Sequence, residues 1–213
     1  MIQIEYTSVI GWAAAVRGMR NPLNSWDKSD TYEELKPIYY DDKVHGVIQE
    51  LTIGDKDLDL MKKLVKAGTD HSKFMRMINA TCDITAPLYW WKEMDTYKVG
   101  TVRNSCSTMH TITNREFTMG DFSCEYAKDF SVLGEVLHAL NRLRDLYIKS
   151  HDKAYWYALI QLLPSSYNQR ATWSANYAVL RNIYHARKDH KLNEWHDFCH
   201  WIETLPYSEL ITL

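Results

Sequence analysis

The sequence predicts an α+β fold, with the 213 residues forming a single domain over residues 1–213. Two patterns support this prediction. Short segments that alternate or are rich in β-branched and aromatic residues are typical of strands, whereas longer segments with apolar residues three and four positions apart are typical of helices. The two kinds of segment are mixed in the first half and helices dominate the second, as in α+β domains. Apolar residues make up 46% of the chain, which is enough for a substantial core.

The first 51 residues combine one strand, one helix and two polar stretches. Met1–Tyr6 alternates apolar and polar residues, which predicts a strand, and Gly11–Met19 has the spacing of a short helix. Asn21–Tyr40 is polar and contains two prolines, so we expect a loop. Val44–Leu51 fits a strand or a helix equally well.

The next segments are better defined. Asp57–Ala67 has one apolar face and is followed by Gly68, a residue typical of the position after a helix. Lys73–Thr85 alternates imperfectly and is predicted to be a strand. Ala86-Pro87 should begin a helix, because proline is tolerated in the first turn. That helix carries the aromatic run Tyr89, Trp90 and Trp91, which suits a core or a subunit interface.

The second half of the chain is mainly helical. Phe130–Ser150 keeps helical spacing throughout, and Ala154–Leu163 follows as a second helix. Tyr167–Trp173 is predicted to be a short strand. From Asn176 the spacing becomes helical again, and Leu192–Thr204 should form the last helix.

The composition excludes several classes of protein. A net charge of −2 provides no basic surface for nucleic acid, and no apolar run is long enough to span a membrane. The N-terminus lacks the pattern of a secretion signal. Widely spaced cysteines without a C-x-x-C pair indicate reduced thiols, and we therefore expect a cytoplasmic protein. The cysteines are Cys82, Cys106, Cys124 and Cys199.

A spaced set of polar residues follows the Leu163-Pro164 pair. Asn176, Asn182 and Arg187 lie on the predicted helix, where they could line a ligand or simply face solvent. Their spacing from Leu-Pro resembles the C-terminal half of the flavin-dependent thymidylate synthases. The resemblance implies that the two asparagines contact FAD and that Arg187 binds the phosphate or base of dUMP. It also implies a fold with a central sheet and flanking helices.

The first half carries the resemblance less well. Gly68, His71, a strand and Ala86-Pro87 occur in the family's order, which implies that His71 contacts the flavin. The family signature then falls on residues 96–108, where Lys98 keeps a positive charge and is assigned to substrate. Four places at which the family has arginine hold uncharged residues, and such losses remove bidentate phosphate contacts. They are Thr96, Thr108, Ile160 and Ala178.

Two further constellations carry possible chemistry. Thr101–His110 is dense in small polar residues and suits a loop that lines a ligand, with Asn104 and Cys106 as candidate substrate contacts. For Cys106 we favour a buried, inert thiol over a nucleophile, because free cysteines are commonly buried. His196 and His200 have a spacing that can bind zinc, but the sequence assigns no third ligand, so we predict no metal site.

The resemblance implies a reaction as well as a fold. It is the reductive methylation of dUMP, with FAD as cofactor and with NADPH and methylenetetrahydrofolate as the other reactants, in a homotetramer whose sites lie between subunits. No catalytic residue on this chain is assigned. The weak signature leaves two alternatives. One is a non-catalytic protein that senses or sequesters a nucleotide, and the other is a related enzyme acting on a modified pyrimidine.

Overall fold

Six strands form two separate sheets in the computed structural model, which describes residues 2–213. The first sheet has four strands in the order β1-β4-β6-β5, and every neighbouring pair is antiparallel. The second sheet is the antiparallel hairpin β2-β3. The strands are β1 (Gln3–Ile10), β2 (Tyr32–Tyr40), β3 (Lys43–Thr52), β4 (Asn79–Pro87), β5 (Thr101–Ser105) and β6 (Asn168–Asn176).

Nine α-helices are present within residues 2–213, and together with the sheets they confirm the α+β prediction. The longest is α5, as expected from its unbroken spacing. The helices are α1 (Trp12–Arg20), α2 (Asp55–Lys66), α3 (Leu88–Met94), α4 (Thr108–Thr111), α5 (Ser131–Ser150), α6 (Lys153–Leu162), α7 (Tyr177–Arg187), α8 (Asn193–Glu203) and α9 (Glu209–Thr212).

The main core lies on one face of the four-stranded sheet. β4 and β6 alternate strictly, so that Cys82 and Trp173 face the core while Thr81 and Thr172 face outward. The inward residues pack against an aromatic cluster from α3 and α8. Trp90 is fully buried, 5.0 Å from Trp195 between ring centroids. The run Tyr89–Trp91 therefore belongs largely to the core.

A second, smaller core lies under the helical pair α5 and α6. Leu140 and Leu159 are buried there, together with aromatic residues of the preceding segment. The outer surface of the pair includes exposed apolar side chains, because Val132 and Leu162 are 62% and 61% exposed. None of the helices described in residues 2–213 is long and apolar enough to cross a membrane.

The prediction of a loop over Asn21–Tyr40 is wrong in its second half. Two 3-10 turns, Asn21–Leu23 and Trp26–Lys28, are followed by β2. The segment Val44–Leu51, which fits a strand or a helix on sequence grounds, lies within strand β3. Both strands are exposed on both faces. They therefore lack the alternation by which a half-buried strand is detected, and pairing between the two strands decides their conformation.

Three other boundaries differ from the predictions. Lys73–Met77 is a 3-10 turn, so the predicted strand begins only at Asn79. That strand continues through Ala86-Pro87, and α3 begins at Leu88 because Pro87 keeps an extended ψ of 150°. Thr101–Ser105, predicted as part of a loop, is the edge strand β5. The ends of the remaining helices and strands lie within three residues of the predicted ends, except that β1 continues to Ile10. Met1, the predicted start of that strand, lies outside the described residues.

The base of the β2-β3 hairpin is anchored by the buried side chain of Asp57, on α2. Its carboxylate accepts a hydrogen bond from Arg20 Nε at 2.6 Å and from the Thr31 hydroxyl at 2.7 Å. Ser29 Oγ donates a third, at 2.5 Å. Burial alone would raise the pKa of Asp57, but these donors outweigh it and hold the pKa below its ordinary value.

Candidate functional site

An open cleft of about 660 Å³ lies where three segments of the fold meet. One wall is the segment between α2 and β4, a second is the loop from α3 to β5, and the third is the first turns of α7. The lining residues are Thr69, Arg76, Thr96, Tyr97, Lys98, Val99, Gly100, Asn176, Ala178, Val179 and Asn182.

The lining of this cleft is positively charged. Its lining residues include no aspartate or glutamate, whereas Arg76 and Lys98 are both among them. Both cations are exposed, and neither makes a hydrogen bond or an ion pair with another residue of the described range. Two unpaired cations without a neighbouring carboxylate favour an anionic ligand.

Asn176 joins β6 to α7 and lines the cleft. Its Oδ1 accepts a hydrogen bond from the Val179 N–H at 3.1 Å and so caps the helix. The other wall approaches it closely at Gly100, whose φ is +78°. A Cβ at this position would lie 3.1 Å from Asn176 Nδ2 and 3.0 Å from a methyl group of Val179, so glycine allows the two walls to meet.

Three of the predicted site residues are brought together here. Asn176, Asn182 and Lys98 come from two separate segments and line one cleft. Asn182 is exposed on α7, and Lys98 lies on the facing loop. The cleft therefore combines amide and ammonium donors on opposite walls, a set that suits phosphate and carbonyl oxygens.

Arg187 lies behind this cleft instead of lining it. Its Nη1 is 2.9 Å from Glu93 Oε2, and its Nε donates a hydrogen bond to the Tyr97 hydroxyl at 2.8 Å. The guanidinium also stacks over the Trp195 ring, 4.7 Å from the centroid. Since Tyr97 is a lining residue, Arg187 supports the wall, and its charge is already matched by Glu93.

His71 opens onto a neighbouring cavity of about 430 Å³. That cavity lies between α1, α2 and the turn before β4, and Leu64 and Phe74 supply part of its apolar lining. Thr69 lines the first cleft and His71 the second, so the two cavities flank one turn of the chain. The structure does not place His71 beside Asn176.

Asn104 and Cys106 lie at the edge strand, apart from the cleft. Asn104 is exposed and pairs with Thr172 of β6. The Cys106 N–H donates to the Arg170 carbonyl at 2.8 Å, and its side chain is exposed. The expectation of a buried Cys106 thiol is therefore wrong. Cys82 and Cys199 are the buried thiols, and burial raises the pKa of Cys82 to about 12 and that of Cys199 to about 11.

The sequence alone did not point to Arg76, Thr69 or Gly100 as site residues. Arg76 lies in a segment predicted to be a strand, and only the 3-10 turn brings it to the cleft. Of the three, only Gly100 could have been suspected from the sequence, because a glycine beside a polar loop often marks a place where two backbone segments come close together. The described residues contain no group of three metal-ligating side chains, and His196 and His200 are exposed on α8.

Solved structures with the same arrangement of strands and helices are flavin-dependent thymidylate synthases. ThyX from Helicobacter pylori, in complex with FAD and dUMP, matches with a TM-score of 0.73 and 16% identity over 99% of this chain and 98% of that one. The chain has the fold of the flavin-dependent thymidylate synthases. A second Helicobacter pylori ThyX structure with FAD and dUMP matches with a TM-score of 0.70 and 15% identity over the whole of both chains.

A third solved structure with the thymidylate synthase fold is that of a nucleotide methylase. The UMP/dUMP methylase PolB from Streptomyces cacaoi, bound to 5-Br dUMP, has a TM-score of 0.62 and 15% identity over 100% of this chain and 95% of that one. No family sequence model matches the chain, and no curated protein does. At 15–16% identity these matches establish the fold alone.

Two of the four uncharged positions noted in the sequence lie in the cleft of this thymidylate synthase fold. Thr96 and Ala178 line it. Ile160 instead packs against the second core, and the Thr108 hydroxyl accepts a hydrogen bond from Gln169 Nε2 at 3.2 Å. The missing charge therefore affects the cleft at two positions, on the loop before β5 and on α7.

Proposed function

We propose that the cleft binds a phosphate-bearing nucleotide, either a pyrimidine nucleotide such as dUMP or the flavin nucleotide FAD. The observation that carries the proposal is a lining without carboxylates in which Arg76 and Lys98 are unpaired. A ligand phosphate there gains charge-assisted hydrogen bonds without displacing an internal ion pair. The amides of Asn176 and Asn182 add neutral donors and acceptors for a ring system.

The donor set fits FAD. Asn176 and Asn182 would lie along the ligand, and Lys98 would face a phosphate group. FAD, when bound, would supply hydride transfer, while these residues bind and orient it. His71 would take part only if the ligand extends around the turn that separates the two cavities.

The first candidate activity is reductive methylation of a uridine nucleotide. It is supported by the fold shared with the ThyX structures and with a protein described as a UMP/dUMP methylase. Methylenetetrahydrofolate and NADPH would be the other reactants. Asn104 and Cys106 would contact the nucleotide only if it reaches the end of β5, since neither lines the cleft.

The second candidate is nucleotide binding without catalysis. It is favoured by the pairing of Arg187 with Glu93 and by the uncharged side chains of Thr96 and Ala178 in the cleft. In either case residues 1–213 act as one domain in a cytoplasmic homo-oligomer, a tetramer by resemblance.

The deciding experiment begins with the absorbance spectrum of the purified protein. A flavin spectrum, or saturable binding of added FAD or dUMP in calorimetry, is the expected result. Lys98→Ala should weaken that binding by at least about tenfold, because one charge-assisted hydrogen bond contributes roughly 1.5–3 kcal/mol. Lys92→Ala is the matched control, since Lys92 is exposed on α3 outside the cleft. A colourless protein that binds neither nucleotide contradicts the proposal.

A further inference from the structure

We infer that Arg76 is the principal phosphate-binding residue of the cleft and supplies the charge that the α7 residues lining it, Ala178 among them, do not provide. The inference rests on the proposed function of the cleft and goes further by assigning its main anionic contact. Arg76 belongs to no motif in the sequence. Its assignment depends on where the fold places it and on what surrounds it.

The backbone that carries Arg76 is held in place by the core. Arg76 lies in the 3-10 turn Lys73–Met77, where Phe74 and Met75 are buried at 2% and 1% exposure. Tyr177 N donates a hydrogen bond to the Ile78 carbonyl at 2.9 Å, which joins this turn to the start of α7. The guanidinium therefore projects from a fixed backbone into the cleft.

The charge of Arg76 is available to a ligand. Several other arginines of the described residues are engaged: Arg20 pairs with Asp57, Arg103 with Asp95 and Arg187 with Glu93. Arg76 has no such partner and lines a cavity without carboxylates. Guanidinium is always charged and presents a planar fork that matches phosphate oxygens, so Arg76 is a better phosphate ligand than Lys98.

Ala178 provides the means of testing this arrangement. It lies on α7, lines the same cleft as Arg76, and its side chain is a single methyl group. An arginine introduced at 178 would place a guanidinium in the same cavity from the other wall. If the function of Arg76 is to supply charge to a bound phosphate, its loss should be compensated by Ala178→Arg.

The experiment compares dissociation constants for FAD and dUMP across four proteins, with circular dichroism to confirm folding. Arg76→Ala should weaken binding about 10-fold to 150-fold, which corresponds to the loss of one charge-assisted hydrogen bond. If Arg76→Ala raises the dissociation constant a hundredfold, the double variant Arg76→Ala with Ala178→Arg should bind at least tenfold more tightly than Arg76→Ala alone. Arg142→Ala is the matched control, because Arg142 is exposed on α5 and lines none of the cleft.

The outcomes separate this inference from the proposed function. If Lys98→Ala weakens binding but Arg76→Ala changes it less than twofold, the cleft binds nucleotide and the assignment of Arg76 is wrong. An equal loss in Arg142→Ala also overturns it, because the effect would then come from overall charge. Failure of Ala178→Arg to restore any affinity contradicts the charge-supply role. If the unaltered protein binds neither nucleotide, the proposed function itself fails.

Discussion

Arg187 is the residue whose sequence-based and structural interpretations differ most. The resemblance assigns it to the nucleotide, whereas its Nη1 and Nε atoms are bonded to Glu93 and Tyr97. Glu93 Oε2 also accepts the Trp195 Nε1–H at 2.8 Å, so one carboxylate joins three elements. We expect Arg187→Ala to lower the free energy of unfolding by about 1.5–3 kcal/mol, because it removes a charge-assisted hydrogen bond from a half-buried pair.

The measurement is urea unfolding of Arg187→Ala and Arg187→Lys. Lysine keeps the charge but has no planar group that could bond to Glu93 and Tyr97 at the same time. The free energy of unfolding of Arg187→Lys should therefore lie between those of the parent and Arg187→Ala. Lys188→Ala is the control, since Lys188 is exposed one residue further along the chain. Unchanged stability of Arg187→Ala together with lost nucleotide binding would restore the direct ligand role.

At the scale of elements, one carboxylate joins α1, α2 and the base of the hairpin. Asp57 is fully buried beside Arg20, which is 5% exposed. We expect Asp57→Asn to lower the free energy of unfolding by about 3–5 kcal/mol at neutral pH, because it leaves Arg20 buried without a counter-charge. Asp59→Asn, at an exposed position of the same helix, should have little effect. Thermal or urea unfolding measures both.

The pH dependence of this contribution has a defined sign. The pKa of Asp57 is lower in the folded protein than in the unfolded chain, where it is about 3.9. The stabilisation is therefore present above about pH 4 and is lost as the pH falls through the folded-state pKa. The difference in stability between the parent and Asp57→Asn should shrink below about pH 4. A difference that stays constant down to pH 2 would contradict the ion-pair account.

The elements that could be predicted from the sequence are those that bury one regular face. α2, α5 and α7 have such faces; α2 and α5 agree with the predicted bounds within two residues, and α7 begins one residue after the predicted start. β2 is exposed on both faces and β5 is a short edge strand, so partner strands, which no local pattern reveals, determine both. These elements required the three-dimensional structure.

The cleft was predictable to a similar extent. Asn176 and Asn182 share a helix and Lys98 lies on a polar loop, so spacing and resemblance could select all three. Arg76 reaches the cleft because a 3-10 turn replaces the expected strand, and Arg187 is diverted by Glu93, which is 94 residues away in sequence. Both outcomes depend on long-range contacts that leave no periodic signal.

At the scale of the whole molecule, the exposed apolar surface predicts self-association. Tyr157 and Leu162 on α6 are 56% and 61% exposed, and Leu35 and Val47 on the hairpin are 70% and 62% exposed. Trp90 and Trp91, which we considered as interface residues on sequence grounds, are in the core and cannot contribute. Contiguous apolar patches are typical of interaction surfaces, and Leu35 and Val47 lie on the same face of the hairpin.

We expect light scattering to give a mass above that of a monomer at micromolar concentrations. Introducing charge with Tyr157→Glu and Leu162→Glu should shift the protein toward smaller species, because burying an unpaired carboxylate in an interface is unfavourable. His196→Glu is the control, at an exposed position on α8. A monomer throughout the micromolar range would contradict the homo-oligomer and any site shared between subunits.

The charge of the cleft bears directly on the methylation of dUMP. We expect formation of dTMP from dUMP to be absent or at least about 100-fold slower than that of the Helicobacter pylori ThyX with the same fold. Thr96 and Ala178 leave the cleft without two charges, and Arg187 is paired with Glu93. Each missing charge-assisted hydrogen bond weakens binding by about 10-fold to 150-fold. If Arg76 and Lys98 compensate for part of this loss, the cleft binds a nucleotide without supporting methylation of dUMP at the ordinary rate.

The assay supplies FAD, NADPH, methylenetetrahydrofolate and dUMP, measures dTMP by chromatography, and includes the Helicobacter pylori enzyme as a positive control. UMP is tested in parallel, because a solved structure with this fold is described as a UMP/dUMP methylase. Methylation of UMP alone would indicate a changed substrate with retained chemistry. Nucleotide binding without methylation of either substrate would favour the non-catalytic role. Turnover of dUMP at about 1 s⁻¹ or more, an ordinary enzymatic rate, would show that the cations on the facing walls replace the missing arginines in full.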